Sequence, residues 1–136
     1  MCGIAGQVRS DGDRTDPKLL ERMCKALEHR GPDSRGTYLS DGVGLAIQRL
    51  RIIDLATGDQ PIYNEDRTVA VVLNGEIYNF RELRARLERA GHQFATESDT
   101  EVIVHLYEEE GRECVRSLQG MFAFALWDEA RRHLLL

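Results

Sequence analysis

The first residue that could do chemistry is Cys2, which directly follows the initiator methionine. That methionine is commonly removed when a small residue follows it, which would leave a thiol and a free α-amine on the same residue. A thiolate is the competent nucleophile, and a free thiol at neutral pH is mostly protonated. An α-amine titrates near ~7.7–8.0, so a neutral fraction is available to take that proton. The position of Cys2 therefore suits a nucleophile that carries its own base, while a small buried core residue is the alternative interpretation.

A second candidate is the Asn74-Gly75 pair, which directly follows the apolar segment 69–73. An Asn-Gly step is first of all a turn signal, so one interpretation is a β-hairpin. The other is functional, because an asparagine amide beside a glycine N–H supplies two donors that can point at one developing oxyanion. Glycine also lets the backbone approach a ligand closely, since it has no Cβ.

The strands predicted from the sequence are short and mostly apolar. The segment 121–127 is apolar on both of its alternating faces, which predicts a strand between two layers. The segment 133–136 resembles the start of another strand, so we expect the chain to be a fragment that is incomplete at its C-terminal end. The remaining strands are predicted over 2–8, 43–50 and 68–73.

Three helices are predicted between these strands. The first, over 17–29, begins with Asp16 as N-cap and Pro17 at the first helical position. The other two are delimited by the capping pairs Asn79–Glu82 and Ser98–Glu101 and by the stop residues Gly91 and Gly111, over 79–90 and 98–110. Asp11-Gly12 predicts a turn over 10–13, and the segment 30–36 is predicted to lack regular structure. Because strands and helices do not alternate strictly, an α+β layered fold is favoured.

Composition excludes several classes of protein. The 136 residues carry 18 basic and 23 acidic side chains, for a net charge of −5, with no dense basic stripe, so a nucleic-acid partner is not expected. The longest apolar run is only 121–127, which is too short to cross a membrane. Three widely spaced cysteines form neither a disulfide framework nor a CxxC metal motif, which suits a reducing, cytoplasmic setting.

Six motifs follow one another along the chain: MCGIAG (1–6), HRGPDSRG (29–36), RLRIID (49–54), NGEIYN (74–79), SDTE (98–101) and LQGMFAF (118–124). In this order they resemble one known family, the class II glutamine amidotransferase domain of asparagine synthetases. The resemblance spans essentially the whole chain and implies a single amidotransferase domain over 1–136. It also implies an N-terminal-nucleophile hydrolase fold, in which two stacked antiparallel sheets lie between helical layers (αββα).

The same resemblance implies a glutaminase reaction. The Cys2 thiolate would attack the side-chain amide of L-glutamine, with the Cys2 amine as base. Asn74 and Gly75 would stabilise the oxyanion, ammonia would leave, and water would hydrolyse the thioester to glutamate. Arg49 would bind the substrate carboxylate with two parallel hydrogen bonds, and Asp99, helped by Glu76, would bind the ammonium. Backbone from Leu50, Ile52 and Ile53 would line the same pocket.

Other residues are given supporting roles or none. In the family the 30–36 loop lies beside the pocket, which makes Arg30 and Asp33 candidates for positioning the residues that touch substrate. Cys24 and Cys114 are predicted to be core residues. The histidines at 29, 92, 105 and 133 show no metal-ligand spacing, so no metal and no cofactor are predicted for this domain.

Family members continue into a second domain that is absent from this sequence. That domain binds ATP and Mg²⁺, activates an acceptor carboxylate such as that of aspartate, and receives the ammonia. Whether the protein forms a homodimer is left open by the sequence. Two alternatives to a glutaminase are kept: an N-terminal-nucleophile amidohydrolase with a different acyl substrate, and a truncated glutamine-binding or inactive fragment. Arg49 and Asp99 together suit an amino-acid substrate, which weighs against the first alternative.

Overall fold

The computed structural model describes residues 2–11, 13–54 and 56–136, and it divides the strands between two antiparallel sheets. The three-stranded sheet has the order β1-β3-β2, formed by Gly3–Val8, Val43–Arg49 and Ser34–Ser40. The four-stranded sheet has the order β4-β5-β6-β7, formed by Ile62–Tyr63, Val69–Ile77, Gly120–Asp128 and His133–Leu135. The helices are α1 (Pro17–Ala26), α2 (Phe80–Ala90) and α3 (Glu101–Glu110), with 3-10 turns at Glu28–Arg30 and Gly111–Arg116.

Three apolar clusters stack the elements into four layers. One cluster lies between the sheets and includes Cys2, Ile47, Val72 and Trp127. A second joins the other face of the four-stranded sheet to α2 and α3. The third packs α1 on the three-stranded sheet through Leu20, Cys24 and Ala46. This helix–sheet–sheet–helix arrangement confirms the α+β four-layer fold expected from the sequence, and Cys24 and Cys114 are buried in the core as predicted.

The central strand β6 has the two apolar faces that its sequence predicted. Phe124 and Leu126 belong to the cluster under the helices, whereas Ala125 and Trp127 belong to the cluster between the sheets. Side chains alternate along a strand, so one apolar run can serve both cores.

The structure differs from the sequence-based interpretation at two places in the strands. Residues 34–36 are not irregular but begin β2, where Ser34 pairs with Arg49. The strand β5 does not turn at Asn74-Gly75 but continues to Ile77, with Gly75 opposite Phe122. The hairpin interpretation therefore fails, because pairing along the full length of β6 outweighs the local turn preference.

The helix boundaries are close to prediction but their caps are not all as expected. Asp16 caps α1 by accepting a hydrogen bond from Lys18 N at 2.9 Å, and Gly91 ends α2 with φ of 109°. The first helix is shorter than predicted, since it ends at Ala26 and a 3-10 turn follows. The predicted turn over 10–13 includes Gly12, which lies outside the described residues. Among the described helices, none is long and apolar enough to cross a membrane.

Neither predicted capping pair forms. The Asn79 side chain instead bridges to the segment after α3, where it contacts Ser117 O and Gln119 N at 2.9 and 3.0 Å. The Glu101 carboxylate accepts from the backbone N–H groups of Ala95 and Thr96, both at 2.7 Å. Both polar side chains thus hold connecting segments in place rather than helix starts.

The geometry around Gly75 gives a test of the β5–β6 pairing. Gly75 has φ of 139°, and a Cβ there would collide with the carbonyl oxygen of Met121 and lie 2.6 Å from Phe122 Cα. We expect Gly75→Ala to lower the free energy of unfolding by at least about 3 kcal/mol, measured by urea denaturation. The matched control is Gly91→Ala, where φ is also positive but no atom of the described residues, beyond Gly91 and its two chain neighbours, lies within 4 Å of an added Cβ. There we expect the free energy of unfolding to fall by about 1–2 kcal/mol. Equal losses in the two variants would show that the contact with β6 does not constrain Gly75.

Candidate active site

A cavity of about 340 Å³ opens where the start of β1, the end of β3 and the C-terminal half of β5 meet. Most of the residues predicted from the sequence line it: Cys2, Arg49, Leu50, Ile52, Ile53, Gly75, Glu76 and Asp99. Arg30, Asp33 and Asn74 do not form its wall. The wall also contains residues that were not predicted: Gln60, Leu73, Tyr78, Ser98, Thr100 and Met121.

Cys2 is held in the cavity wall by hydrogen bonds to its side-chain sulfur and to its backbone carbonyl oxygen. Its Sγ accepts a hydrogen bond from Leu50 N at 3.3 Å and lies 3.6 Å from Leu50 O. Its carbonyl oxygen accepts from Arg30 Nε at 2.9 Å. Only 9% of Cys2 is exposed, so the thiol faces the cavity from a fixed position in the core between the sheets. Arg30 thus contacts Cys2 directly, which agrees with a positioning role.

The Asn74-Gly75-Glu76 segment runs beside the cavity as part of β5, with Gly75 and Glu76 in the wall and Asn74 outside it. Asn74 lies on the same face of the strand as Val72, which packs in the cluster that contains Cys2. Asn74 Oδ1 is buried without a hydrogen-bond partner among the described residues. An unpaired buried acceptor is costly in a folded protein, so Oδ1 retains the capacity to accept a hydrogen bond from a ligand N–H, whereas an oxyanion would need the Nδ2 donor.

Arg49 lines the cavity, but its guanidinium already donates hydrogen bonds to Asp59 and to the loop after β3. Its Nη1 donates to Asp59 at 2.7 Å, and its Nη2 donates to the carbonyl oxygens of Ile53 and Asp54 at 2.8 and 2.9 Å. Both paired-donor edges of a guanidinium include Nη2, so the expected two-bond clamp on a carboxylate is not available in this arrangement. One N–H on Nη1 and the Nε–H remain for single hydrogen bonds. Arg49 also holds the loop after β3 in place.

Asp33 and Arg51 complete the support of that loop. Asp33 N donates to Arg49 O at 3.0 Å, and the Asp33 carboxylate accepts from Arg51 N at 2.8 Å. Arg51 Nη2 in turn contacts Asp59 at 2.7 Å. Asp33 therefore contacts the segment that carries Leu50 and not the cavity itself, as its predicted supporting role requires. The backbone groups that were expected to face a ligand already have partners: Leu50 N and O contact Cys2 Sγ, and Ile53 O accepts from Arg49 Nη2.

Asp99 is a buried carboxylate in the wall with no cation beside it among the described residues. It is 5% exposed, and Oδ2 accepts from Ile77 N at 2.8 Å. Burial raises the pKa of Asp99, opposed by the hydrogen bonds from Ile77 and Thr100 N–H groups. A carboxylate desolvated to this extent is stabilised by a cationic ligand. Glu76 lies on the same wall and likewise has no ion pair within the described chain.

Gln60 is a wall residue that the sequence did not reveal. Its Oε1 accepts from Leu73 N at 2.6 Å, and its Nε2 lies 3.3 Å from Thr100 Oγ1. Because β4 pairs with β5 only at Ile62 and Tyr63, this side chain satisfies a strand N–H that β4 does not reach. An isolated glutamine before a proline carries no signal for such a role.

The rim of the cavity is apolar. Ile52, Tyr78 and Met121 are 59%, 60% and 67% exposed, although each also lines the cavity. Their exposure leaves an apolar border around a polar floor, which is the usual composition of a small-molecule site.

The chain belongs to the glutamine amidotransferase domain family, whose sequence model matches residues 1–136. The resemblance seen in the motifs is thereby confirmed.

The similar curated proteins are much longer than this chain. Asparagine synthetase [glutamine-hydrolyzing] 2 of Bacillus subtilis (strain 168) is 44% identical over 139 residues, covering 100% of this chain and 18% of the relative. Asparagine synthetase [glutamine-hydrolyzing] of Zea mays is 56% identical over 131 residues, covering 94% of this chain and 22% of the relative. The chain thus spans about a fifth of the length of these relatives and matches their N-terminal part.

Two solved structures share the fold. Glutamine phosphoribosylpyrophosphate amidotransferase from B. subtilis, complexed with ADP and GMP, has a TM-score of 0.66 at 24% identity over 94% of this chain and 35% of its own. The structure of an allosteric regulatory enzyme of purine biosynthesis has a TM-score of 0.70 at 20% identity, over 95% and 36%. At these identities the likeness concerns the fold alone, and it supports the four-layer α+β architecture.

The network around Asp59 predicts a pH dependence of stability. Hydrogen bonds from Arg51 and then Arg49 lower the pKa of Asp59 from 3.8 to about 2. A carboxyl whose folded pKa is depressed adds stability above its unfolded pKa and loses it as the pH falls through the folded value. The difference in urea midpoint between wild type and Asp59→Asn should therefore be present at pH 6 and shrink between about pH 4 and pH 2.

Because Asp59 is 51% exposed, the difference should be small and should fall further in high salt. A difference that stays constant across this pH range would show that the ion pairs with Arg49 and Arg51 do not contribute to stability.

Proposed function

We propose that this domain hydrolyses L-glutamine to glutamate and ammonia through a thioester on Cys2. The observation that carries the proposal is that one cavity brings together the Cys2 thiol and the buried Asp99 carboxylate, which lacks a cation within the described chain. A nucleophile and an ammonium acceptor facing one small cavity suit an amino-acid amide.

The substrate is held at its α-carbon in this proposal. Asp99 and Glu76 take the ammonium, so the ligand supplies the positive charge that the buried carboxylate lacks. Arg49 takes the α-carboxylate with a single hydrogen bond from an N–H group that the loop and Asp59 do not use. Displacement of a loop carbonyl on binding would free an N–H of Nη2 for a second bond. The side-chain amide then extends toward Cys2 Sγ.

The reaction proceeds by nucleophilic catalysis. The α-amine of Cys2, once exposed by removal of the initiator methionine, accepts the thiol proton as Sγ attacks the amide carbon. The carbonyl oxygen gains the negative charge, which the Asn74 amide and Gly75 N–H stabilise. The C–N bond then breaks, and the amine returns the proton to the departing ammonia. Water attacks the thioester next, releasing glutamate and restoring the thiol.

The fate of the ammonia is a further proposal, which the names and the greater length of the relatives support. We infer that the complete protein carries a further domain, in which ATP and Mg²⁺ activate an acceptor carboxylate that receives the ammonia, with aspartate giving asparagine. The names of the relatives support this inference, as does their greater length. The described cysteines are all unpaired, which supports a cytoplasmic location. A homodimer is a further proposal without a specific contact to support it.

The direct test of the nucleophile is glutamine turnover by Cys2→Ala. We expect release of glutamate and ammonia to fall to background, because no other described thiol faces the cavity. The matched control is Cys24→Ala, which removes a thiol from the core beneath α1 and should leave turnover per folded molecule unchanged. Circular dichroism confirms folding of both variants. Retained turnover in Cys2→Ala would overturn the mechanism.

The role of Asp99 is tested by substrate analogues. Asp99→Asn should raise KM for glutamine roughly 10- to 150-fold, the loss expected when a charged hydrogen-bond partner is removed. Glu97→Gln, at an exposed acid two residues earlier, serves as the control and should not change KM. Toward an amide that lacks the α-amine, wild type and Asp99→Asn should be equally poor. If the variant loses activity equally toward both substrates, Asp99 does not bind the ammonium.

Substitution in the proposed oxyanion hole should change kcat, whereas substitution in the proposed carboxylate site should change KM. Asn74→Ala should lower kcat by about 10²–10³ with little change in KM, because its donor acts on charge that develops during the reaction. Arg49→Ala should mainly raise KM. An unchanged kcat in the first variant, or an unchanged KM in the second, would remove that residue from its assigned role.

A further inference from the structure

A cluster of two histidines and two glutamates lies outside the cavity just described. Glu65 belongs to the connection between β4 and β5, His92 follows α2, and His105 and Glu108 are one turn apart on α3. Each offers one nitrogen or oxygen atom, and these four atoms all lie within 4.8 Å of one another. Residues separated by up to 43 positions in the sequence thus meet at one point, which is why their spacing gave no metal motif.

Three separations within the cluster are close to the edges of a tetrahedron around a metal ion, and all four ligand atoms lie within 4.8 Å of one another. His105 Nδ1 is 3.3 Å from Glu65 Oε2 and 3.3 Å from Glu108 Oε2. His92 Nδ1 is 3.6 Å from Glu108 Oε2, and its 3.3 Å contact with Glu65 is to the other carboxylate oxygen, Oε1. For bonds of about 2.0–2.1 Å from zinc to nitrogen or oxygen, a regular tetrahedron has edges of about 3.3–3.4 Å.

The outward-facing atoms of the same residues have partners of the kind that orient metal ligands. His92 Nε2 lies 3.1 Å from Glu109 Oε1, and Glu108 Oε1 accepts from Asn64 Nδ2 at 2.8 Å. Glu65 Oε1 accepts from Gln93 N at 3.0 Å. A ligating histidine typically donates its second N–H to a carboxylate, and such contacts fix the ring for binding through the other nitrogen.

His105 is the fully buried member of the cluster. Its side chain is fully buried, and its Nε2 has no hydrogen-bond partner among the described residues, with Glu101 Oε1 the nearest carboxylate atom found, at 3.6 Å. The ring packs edge-on against Phe94 with centroids 4.5 Å apart, so its orientation is fixed. A buried, immobile imidazole whose Nδ1 faces two carboxylates has few uses other than ion pairing or metal binding.

From this geometry we infer a structural zinc site, in which the Nδ1 atoms of His92 and His105 and one oxygen each of Glu65 and Glu108 bind Zn²⁺. Two imidazoles and two carboxylates suit a tetrahedral zinc centre. None of the four residues lines the cavity, so the ion takes no part in the proposed hydrolysis. It would fasten the β4–β5 connection and the end of α2 to α3, the helix that directly follows Asp99.

Zinc binding is measured directly on edetate-treated, dialysed protein by competition with a chromophoric chelator. The Cys2→Ala background removes the one described thiol that faces a cavity. We expect one equivalent of Zn²⁺ with a submicromolar Kd and a rise in Tm on binding. Replacing Zn²⁺ with Co²⁺ should give the intense visible bands of a tetrahedral site, without a thiolate charge-transfer band.

Variants locate the ion. Glu65→Gln and His92→Asn should each weaken binding at least about tenfold, and both change partly exposed side chains, so folding can be retained. His133→Asn, at an exposed histidine outside the cluster, is the matched control and should bind as tightly as its background. Absence of zinc binding by the Cys2→Ala protein, or binding that neither cluster variant weakens, would overturn the proposal. Glutamine turnover is not used as a readout, so failure of the proposed function leaves this test intact.

Discussion

The hydrogen bond from Leu50 N–H to Cys2 Sγ is the contact on which the candidate site depends. It joins the first described residue of the chain to the loop that leaves β3, and the Arg30 bond to the Cys2 carbonyl fixes the same residue from the other side. Both bonds exist only because β1 pairs with β3 along its full length, from Gly3 opposite Gln48 to Val8 opposite Val43. Cys2 is therefore part of the core between the sheets.

The loop after β3 is held together by the buried Arg49 guanidinium and its ionic and hydrogen-bond partners. Arg49 is buried and satisfies two carbonyl groups of that loop, while Asp59 binds Arg49 and Arg51 together. Leaving a buried guanidinium without such partners would be costly, so the loop geometry and the position of Arg49 are mutually dependent. The same side chain can serve a ligand only with the N–H groups that remain, which couples binding of a carboxylate to the conformation of the loop.

Sequence reasoning predicted the α+β class from local patterns, and it predicted the four layers and most of the cavity wall from the resemblance to a known family. Alternating apolar residues identified β6 and its two cores, and the residues of the short motifs lie together around the cavity. It failed where a long-range contact overrides local preference. Asn74-Gly75 favours a turn, yet pairing with β6 keeps the strand straight, and Glu101 resembles a helix cap but holds the backbone of Ala95 and Thr96.

Two features had no local signal at all. Gln60 contacts the cavity only because its side chain replaces a missing strand partner for Leu73 N. The cluster around His105 forms only when three separate segments pack together. The roles assigned to the wall residues in catalysis and binding stay predictions, since positions alone do not measure rates.

The central claim, that Cys2 is the nucleophile of a glutamine site, is tested most directly by intact mass before and after treatment with an electrophilic glutamine analogue. The account predicts a starting mass without the initiator methionine and a single adduct, which excess glutamine blocks and Cys2→Ala abolishes. Labelling at Cys24 or Cys114 instead, or an adduct that glutamine does not block, would contradict it.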